Sequence, residues 1–215
     1  MEAAIQSPEM VHRHHAAPPA QPFGVTNGKF AMWLFLGSDG MSFMGLIATY
    51  VALRLGNLAT WPDPTTILNI PLTALNTFIL ICSSVTMVKA FVAAQEGNVA
   101  GLKKWLAFTM LGGTIFLGIQ AYEYYHLTHE GLFPWALEGH YLEKNPGASS
   151  LFGATFYACT CFHGCHVLSG VIYLGLTLLF VTRGKWSQSS IEIVGLYWHF
   201  VDLVWIVIFT IIYLF

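Results

Sequence analysis

The sequence predicts an all-α membrane protein of five transmembrane helices, with its N-terminus cytoplasmic and its C-terminus on the outer side. Three observations carry this expectation. First, of 215 residues 55% are hydrophobic and only 9% charged. An ordinary globular domain holds about 25% charged residues, so apolar surface remains here that must meet lipid or other protein. Second, five apolar runs are each long enough to cross a hydrocarbon core of ~30 Å as a helix. None alternates in ten-residue segments as a β-barrel strand does, and only a helix satisfies its own backbone in lipid. Third, lysine and arginine are unevenly shared between the connections.

Residues 1–28 are polar, rich in Pro and His, and lack the apolar core of a cleavable signal peptide. They read as a disordered tail, with loose metal binding by His12, His14 and His15 as the alternative. Residues 29–215 then form one domain with helices at about 30–53, 67–94, 105–125, 151–181 and 191–214. Trp61-Pro62-Asp63-Pro64 stops the first crossing, and Gln95-Glu96-Gly97-Asn98 and Arg183-Gly184-Lys185 make short turns. Residues 126–150, with Pro134 and Pro146, are expected as the one long loop. With the N-terminus inside, Arg13, Lys29, Lys89, Lys103, Lys104, Arg183 and Lys185 fall on the cytoplasmic side, whereas Arg54 and Lys144 fall outside. Asp63, Glu130, Glu138 and Glu143 make the outer face acidic. No internal repeat of the kind built into many transporters is present.

An ionisable group near mid-bilayer costs ~2.5–3.5 kcal/mol on insertion scales, so each needs a partner or a purpose. The candidates are Asp39, Glu123, His163, His166, His199 and Asp202. Asp39 lies in the first helix with Ser42 and Gly45 near its face. It reads either as a hydrogen-bonded acid that fixes helix packing or as a carboxyl involved in proton movement. His199 and Asp202, three apart, share one face of the last helix, and Trp198 and Trp205 share a common side near them. Counting from the helix ends places His166 and Asp202 at similar depth, so a His166–Asp202 hydrogen bond is expected. A proton relay is the other reading of that pair. Cys161-Phe162-His163-Gly164-Cys165-His166 looks like a stretched haem-attachment motif, but three residues separate the cysteines instead of two. The four cysteines all sit in apolar runs and read as small buried residues. Tyr122, Tyr124 and Tyr125 read as an interfacial aromatic belt. A net charge of −2 offers nothing to nucleic acid.

Four segments together resemble one family. Tyr197-Trp198-His199-Phe200-Val201-Asp202-Leu203-Val204-Trp205 is similar to the C-terminal signature of subunit III of the haem–copper terminal oxidases. Phe162-His163-Gly164-Cys165-His166-Val167 resembles its Phe-His-Gly-x-His-Val segment. Gln120-Ala121-Tyr122-Glu123-Tyr124 resembles its Gln-x-x-Glu-Tyr, and Pro71 with Leu75-Asn76-Thr77 its Pro-Leu-Leu-Asn-Thr. They occur in family order over residues 30–215. The resemblance implies a bacterial inner-membrane subunit of cytochrome c oxidase, without haem, copper or catalytic residue of its own. It implies partners, namely the catalytic subunit I and subunit II, which carry haem and copper, and bound phospholipid. It also implies support of proton uptake and of durability during turnover. Trp33-Leu34-Phe35-Leu36-Gly37-Ser38-Asp39 is similar to the family segment that carries a buried, carbodiimide-reactive glutamate, shortened here by one methylene. The longer family form has seven helices, and the five-helix bacterial type begins at the third. Other respiratory-complex subunits are candidates for the place of the absent pair. Asp39 is accordingly the candidate proton-linked carboxyl. Glu123, His163, His166, His199 and Asp202 are expected as buried polar scaffold, and Arg183 and Lys185 as lipid-headgroup contacts. A quinol oxidase subunit III is the near alternative, and a stand-alone small transporter or proton channel the one from another class.

Overall fold

A computed structural model describes residues 26–144 and 146–214. Its elements run in the order α1 Asn27–Gly56, α2 Pro64–Ile67, α3 Ile70–Gln95, α4 Val99–Glu130, α5 Gly139–Lys144, α6 Leu151–Thr182 and α7 Gln188–Ile208, and α7 continues as a π-helical turn over Phe209–Leu214. Five of these helices are long and apolar enough to span a membrane. Among the described residues no strand forms beyond an isolated bridge between Leu132 and Leu137. Residues 1–25 of the expected tail, with His12, His14 and His15, lie outside the described residues.

The helices start where the sequence supplies caps. Thr26 Oγ1 accepts from Lys29 N–H, Asn69 from Leu72 N–H, Asn98 from Gly101 N–H and Ser187 from Ser190 N–H, each satisfying one of the orphan donors of a first turn. Asp63 caps the short α2, accepting from the backbone and the hydroxyl of Thr65, and these hydrogen bonds hold its carboxyl below the ordinary range. The expected second run, 67–94, is divided. Asn69 caps and Pro71 sits in the first turn, so α3 begins at Ile70, while Ile67 ends α2 and Leu68 and Asn69 link the two.

The expected loop 126–150 is also corrected. At 32 residues, α4 is ~48 Å long, so both ends outrun the hydrocarbon core. Lys103 and Lys104 at one end, and His126, His129 and Glu130 at the other, are helical although they lie outside the apolar run. What remains of the loop folds back on itself. Phe133 N–H donates to Ala136 C=O and Glu138 N–H to Gly131 C=O. Gly131 is the left-handed cap of α4 (φ 95°), and a Cβ there would sit 1.8 Å from the Glu138 carbonyl oxygen. Gly131→Ala is therefore expected to lower stability by about 2–4 kcal/mol, from strain at positive φ and loss of the turn. Thermal unfolding of the purified protein reads this out, and an unchanged midpoint would contradict it.

α3, α4, α6 and α7 close a four-helix bundle, each touching the next, and α1 lies in the groove between α6 and α7. At the centre Trp198 of α7 reaches between the other three. Its indole N–H donates to Ser83 Oγ on α3 at 3.1 Å, and its ring rests where Gly113 on α4 and Gly170 on α6 have no side chain. One helical repeat further on, Trp205 donates to Thr77 Oγ1 at 2.9 Å. The common side expected for the two tryptophans is thus the core-facing side. α1 is the peripheral member. Only 17% of its spanning window is buried within the chain, against 50% for the span that ends in Leu214.

Candidate functional site

The acids and histidines the sequence singled out, His163 aside, fall into three clusters, each joining different helices. In the first, Asp39 of α1 meets His166 of α6, with Oδ1 3.2 Å from Nε2. The other ring nitrogen, Nδ1, lies 2.7 Å from the carbonyl oxygen of Phe162. A carbonyl only accepts, so Nδ1 carries a hydrogen and Nε2 is the atom that shares a proton with the carboxyl. The rings of Phe43 and Phe162 pack against the imidazole, with centroids 5.1 Å and 4.6 Å from it. The carbonyl of His166 accepts from Ser169 and from Tyr197, whose hydroxyls also meet at 2.6 Å, so α7 braces the residue that holds α1.

This corrects the expected His166–Asp202 bond. Depth along the helix is similar for the two, but Asp202 faces α3, beside Ser84, and its Oδ1 has no hydrogen-bond partner among the described residues. His199 Nδ1 lies 2.6 Å from the same hydroxyl. The second cluster is therefore Ser84, His199 and Asp202, and α1 supplies the partner that His166 needs. Asp202→Leu leaves His166 paired.

The third cluster surrounds Glu123, 5% exposed on α4. Its Oε1 is 3.0 Å from Thr73 Oγ1 on α3. Its Oε2 accepts from Gln120 Nε2 at 3.1 Å and from the Tyr213 hydroxyl at 3.0 Å. Tyr213 stands in the π-helical turn that ends α7, so this one carboxyl fastens three helices near one end of the bundle. Thr73, Tyr213 and Ser84 were not singled out by the sequence, and Tyr197 entered it only as the first residue of the C-terminal signature. Their hydroxyls sit in helices whose apolar residues give no cue to which side faces in, and only Gln120, one turn before Glu123, carried a signal.

His163 is fully buried, stacked on Trp205 at 4.8 Å and edge-on to Phe116 at 5.8 Å. Neither ring nitrogen has a hydrogen-bond partner among the described residues, so it packs as an aromatic ring. The residues of the stretched cysteine motif point apart, with Cys161 and Cys165 exposed and His163 turned into the core. Of the expected aromatic belt, Tyr122 and Tyr125 are exposed, while Tyr124 packs inward on Tyr157. Arg183 and Lys185 are exposed in the turn between α6 and α7. At the same end the Lys29 ammonium pairs with Glu192, tying the start of α1 to that of α7.

Comparison with known proteins identifies the family. The family model described as cytochrome c oxidase subunit III matches residues 19–215. The chain is 35% identical over 218 residues to a protein of Corynebacterium diphtheriae named cytochrome c oxidase subunit 3, covering 99% of this chain and 98% of that one. It is 38% identical to the subunit 3 of a Synechocystis species, covering 97% and 81%, and 34% identical to that of Bacillus subtilis, covering 91% and 92%. Five apolar helices, a family model matched over residues 19–215 and relatives at least 34% identical over most of both chains leave one conclusion: this chain belongs to the cytochrome c oxidase subunit III family.

Proposed function

We propose that the chain is the non-catalytic subunit III of a bacterial cytochrome c oxidase, beside subunits I and II in the cytoplasmic membrane, and that it keeps proton uptake by the catalytic subunit working through many turnovers. Haem and copper belong to those partners. The relatives' names favour cytochrome c as electron donor over a quinol. Lys29, Lys89, Lys103, Lys104, Arg183 and Lys185 gather at the end of the bundle that holds the start of α1, which supports a cytoplasmic N-terminus. Arg183 and Lys185 there are suited to lipid phosphate.

The observation that carries this reading is the Asp39–His166 pair. With Nδ1 committed to a carbonyl, the pair shares one further proton between Oδ1 and Nε2. Written as acid and imidazole or as carboxylate and imidazolium, it is neutral overall. It therefore holds a transferable proton without placing net charge in the membrane. Asp39→Asn keeps a hydrogen bond to Nε2 but cannot release that proton. In the isolated oxidase the variant is expected to assemble and start at normal rate, then to lose activity several-fold sooner during sustained turnover, most clearly at high pH, where protons are scarce. Equal active lifetimes of variant and wild type across pH would remove Asp39 from proton handling. Ion movement by the purified chain alone in liposomes would instead favour a stand-alone channel.

A further inference from the structure

On its outer side the α3–α4 hairpin carries a groove of about 380 Å³, walled by Phe78 and Cys82 of α3 and by Phe108 and Leu111 of α4. Its floor is narrow because the helices touch there. A Cβ on Gly112 would lie 2.7 Å from Ser83 Cβ, and the hydroxyls of Thr86 and Thr109 meet at 2.8 Å. One end of the groove is Trp105, and over this indole stand two ammonium groups, Lys89 Nζ at 4.6 Å from the ring centroid and Lys104 Nζ at 5.5 Å. Each gains from the ring's negative face, but the two cations repel one another. Among the described residues neither is ion-paired with a carboxylate.

Depth decides what can satisfy them. Lys89 lies six residues before the end of α3 and Lys104 five after the start of α4, ~8–9 Å inside the turn, from where flexible stems reach headgroup level. From Trp105 the apolar groove runs the other way, toward mid-bilayer, for ~12–15 Å along both helices. An occupant must therefore present negative charge at the headgroup level and hydrocarbon below it. We propose that this groove is a binding site for an anionic glycerophospholipid, its phosphate between Lys89 and Lys104 and one acyl chain laid between Phe78 and Phe108. The site is separate from the α6–α7 turn that holds Arg183 and Lys185. It rests on the proposed function only in taking the oxidase as the assembly to be tested.

The whole oxidase, extracted in mild detergent, is placed in phosphatidylcholine nanodiscs with a graded share of phosphatidylglycerol, and lipid retained by this chain is read by native mass spectrometry. Wild type is expected to retain phosphatidylglycerol selectively. With each ammonium adding roughly a fivefold preference, K89Q/K104Q is expected to lose that selectivity more than tenfold, while added inorganic phosphate does not compete. A photoreactive benzoylphenylalanine in place of Phe108 is expected to yield a phospholipid adduct. Unchanged selectivity in K89Q/K104Q, or an adduct to another subunit at Phe108, would overturn the site. Failure of the chain to purify with an oxidase bears on the proposed function instead, and the same lipid ratio measured in whatever assembly it enters still decides the groove.

Discussion

Glu123→Leu is expected to lower the stability of the bundle by about 2–5 kcal/mol, whereas Glu123→Gln lowers it by less than about 1 kcal/mol. The leucine removes the shared acceptor of Thr73, Gln120 and Tyr213, and a buried donor left without a partner costs about 1–3 kcal/mol. Two such groups, Gln120 and Tyr213, set the upper end, since the Thr73 hydroxyl also donates to the Asn69 carbonyl. The lower end reflects membrane proteins, where single hydrogen bonds average about 0.6 kcal/mol because the separated helices find other partners. Glutamine keeps the geometry, since its carbonyl accepts from Tyr213 and its amide donates to Thr73. Unfolding of the purified protein in detergent measures both, and limited proteolysis at the C-terminus reads release of the π-helical turn. A glutamine variant as damaged as the leucine variant would refute the hydrogen-bond account.

A comparable loss is expected at the centre. In Gly113→Ala the new Cβ falls 2.3 Å from Trp198 Cη2 and 2.8 Å from Val171 Cγ2. Overpacking of this kind costs about 1–3 kcal/mol, and the ring has no free direction in which to yield. Gly170 holds its other edge, and moving it lengthens the bond to Ser83, adding about 1 kcal/mol. About 3 kcal/mol is expected for alanine and more for larger side chains, seen as a lower unfolding midpoint and a smaller share of oxidase retaining the subunit. Trp198→Phe in the same chain is expected to restore part of the loss, because the smaller ring vacates the space. A double-mutant coupling near zero would place the damage elsewhere.

The five spans were legible because a bilayer demands a minimum length of apolar helix and the chain supplies five. Their ends were less so. His126 to Glu130 look like loop to a hydropathy reading, although α4 simply protrudes into the headgroup region. The polar clusters show the same division between depth and direction. Depth follows from counting residues along a helix, which brought His166 and Asp202 to one level. Direction does not, because a helix bathed in lipid is apolar on all sides, and nothing in the pattern says that His166 looks at α1 while Asp202 looks at α3. Trp198 and Trp205 were exceptions, since bulky amphipathic rings seven residues apart mark a face. Ser83 and Thr77, which receive their N–H groups, have no such mark.

The seat of α1 on α6 and α7 sets an order of events during synthesis. Asp39 leaves the ribosome roughly 130 residues ahead of His166, on the order of ten seconds at bacterial translation speeds. Through that interval the carboxyl rides a solitary span with no imidazole to meet. A polar side chain so placed makes insertion of that span costlier than its apolar residues alone would. The first span made is thus the last to be seated, and Asp39 finds its imidazole only once α6 has entered the membrane beside it.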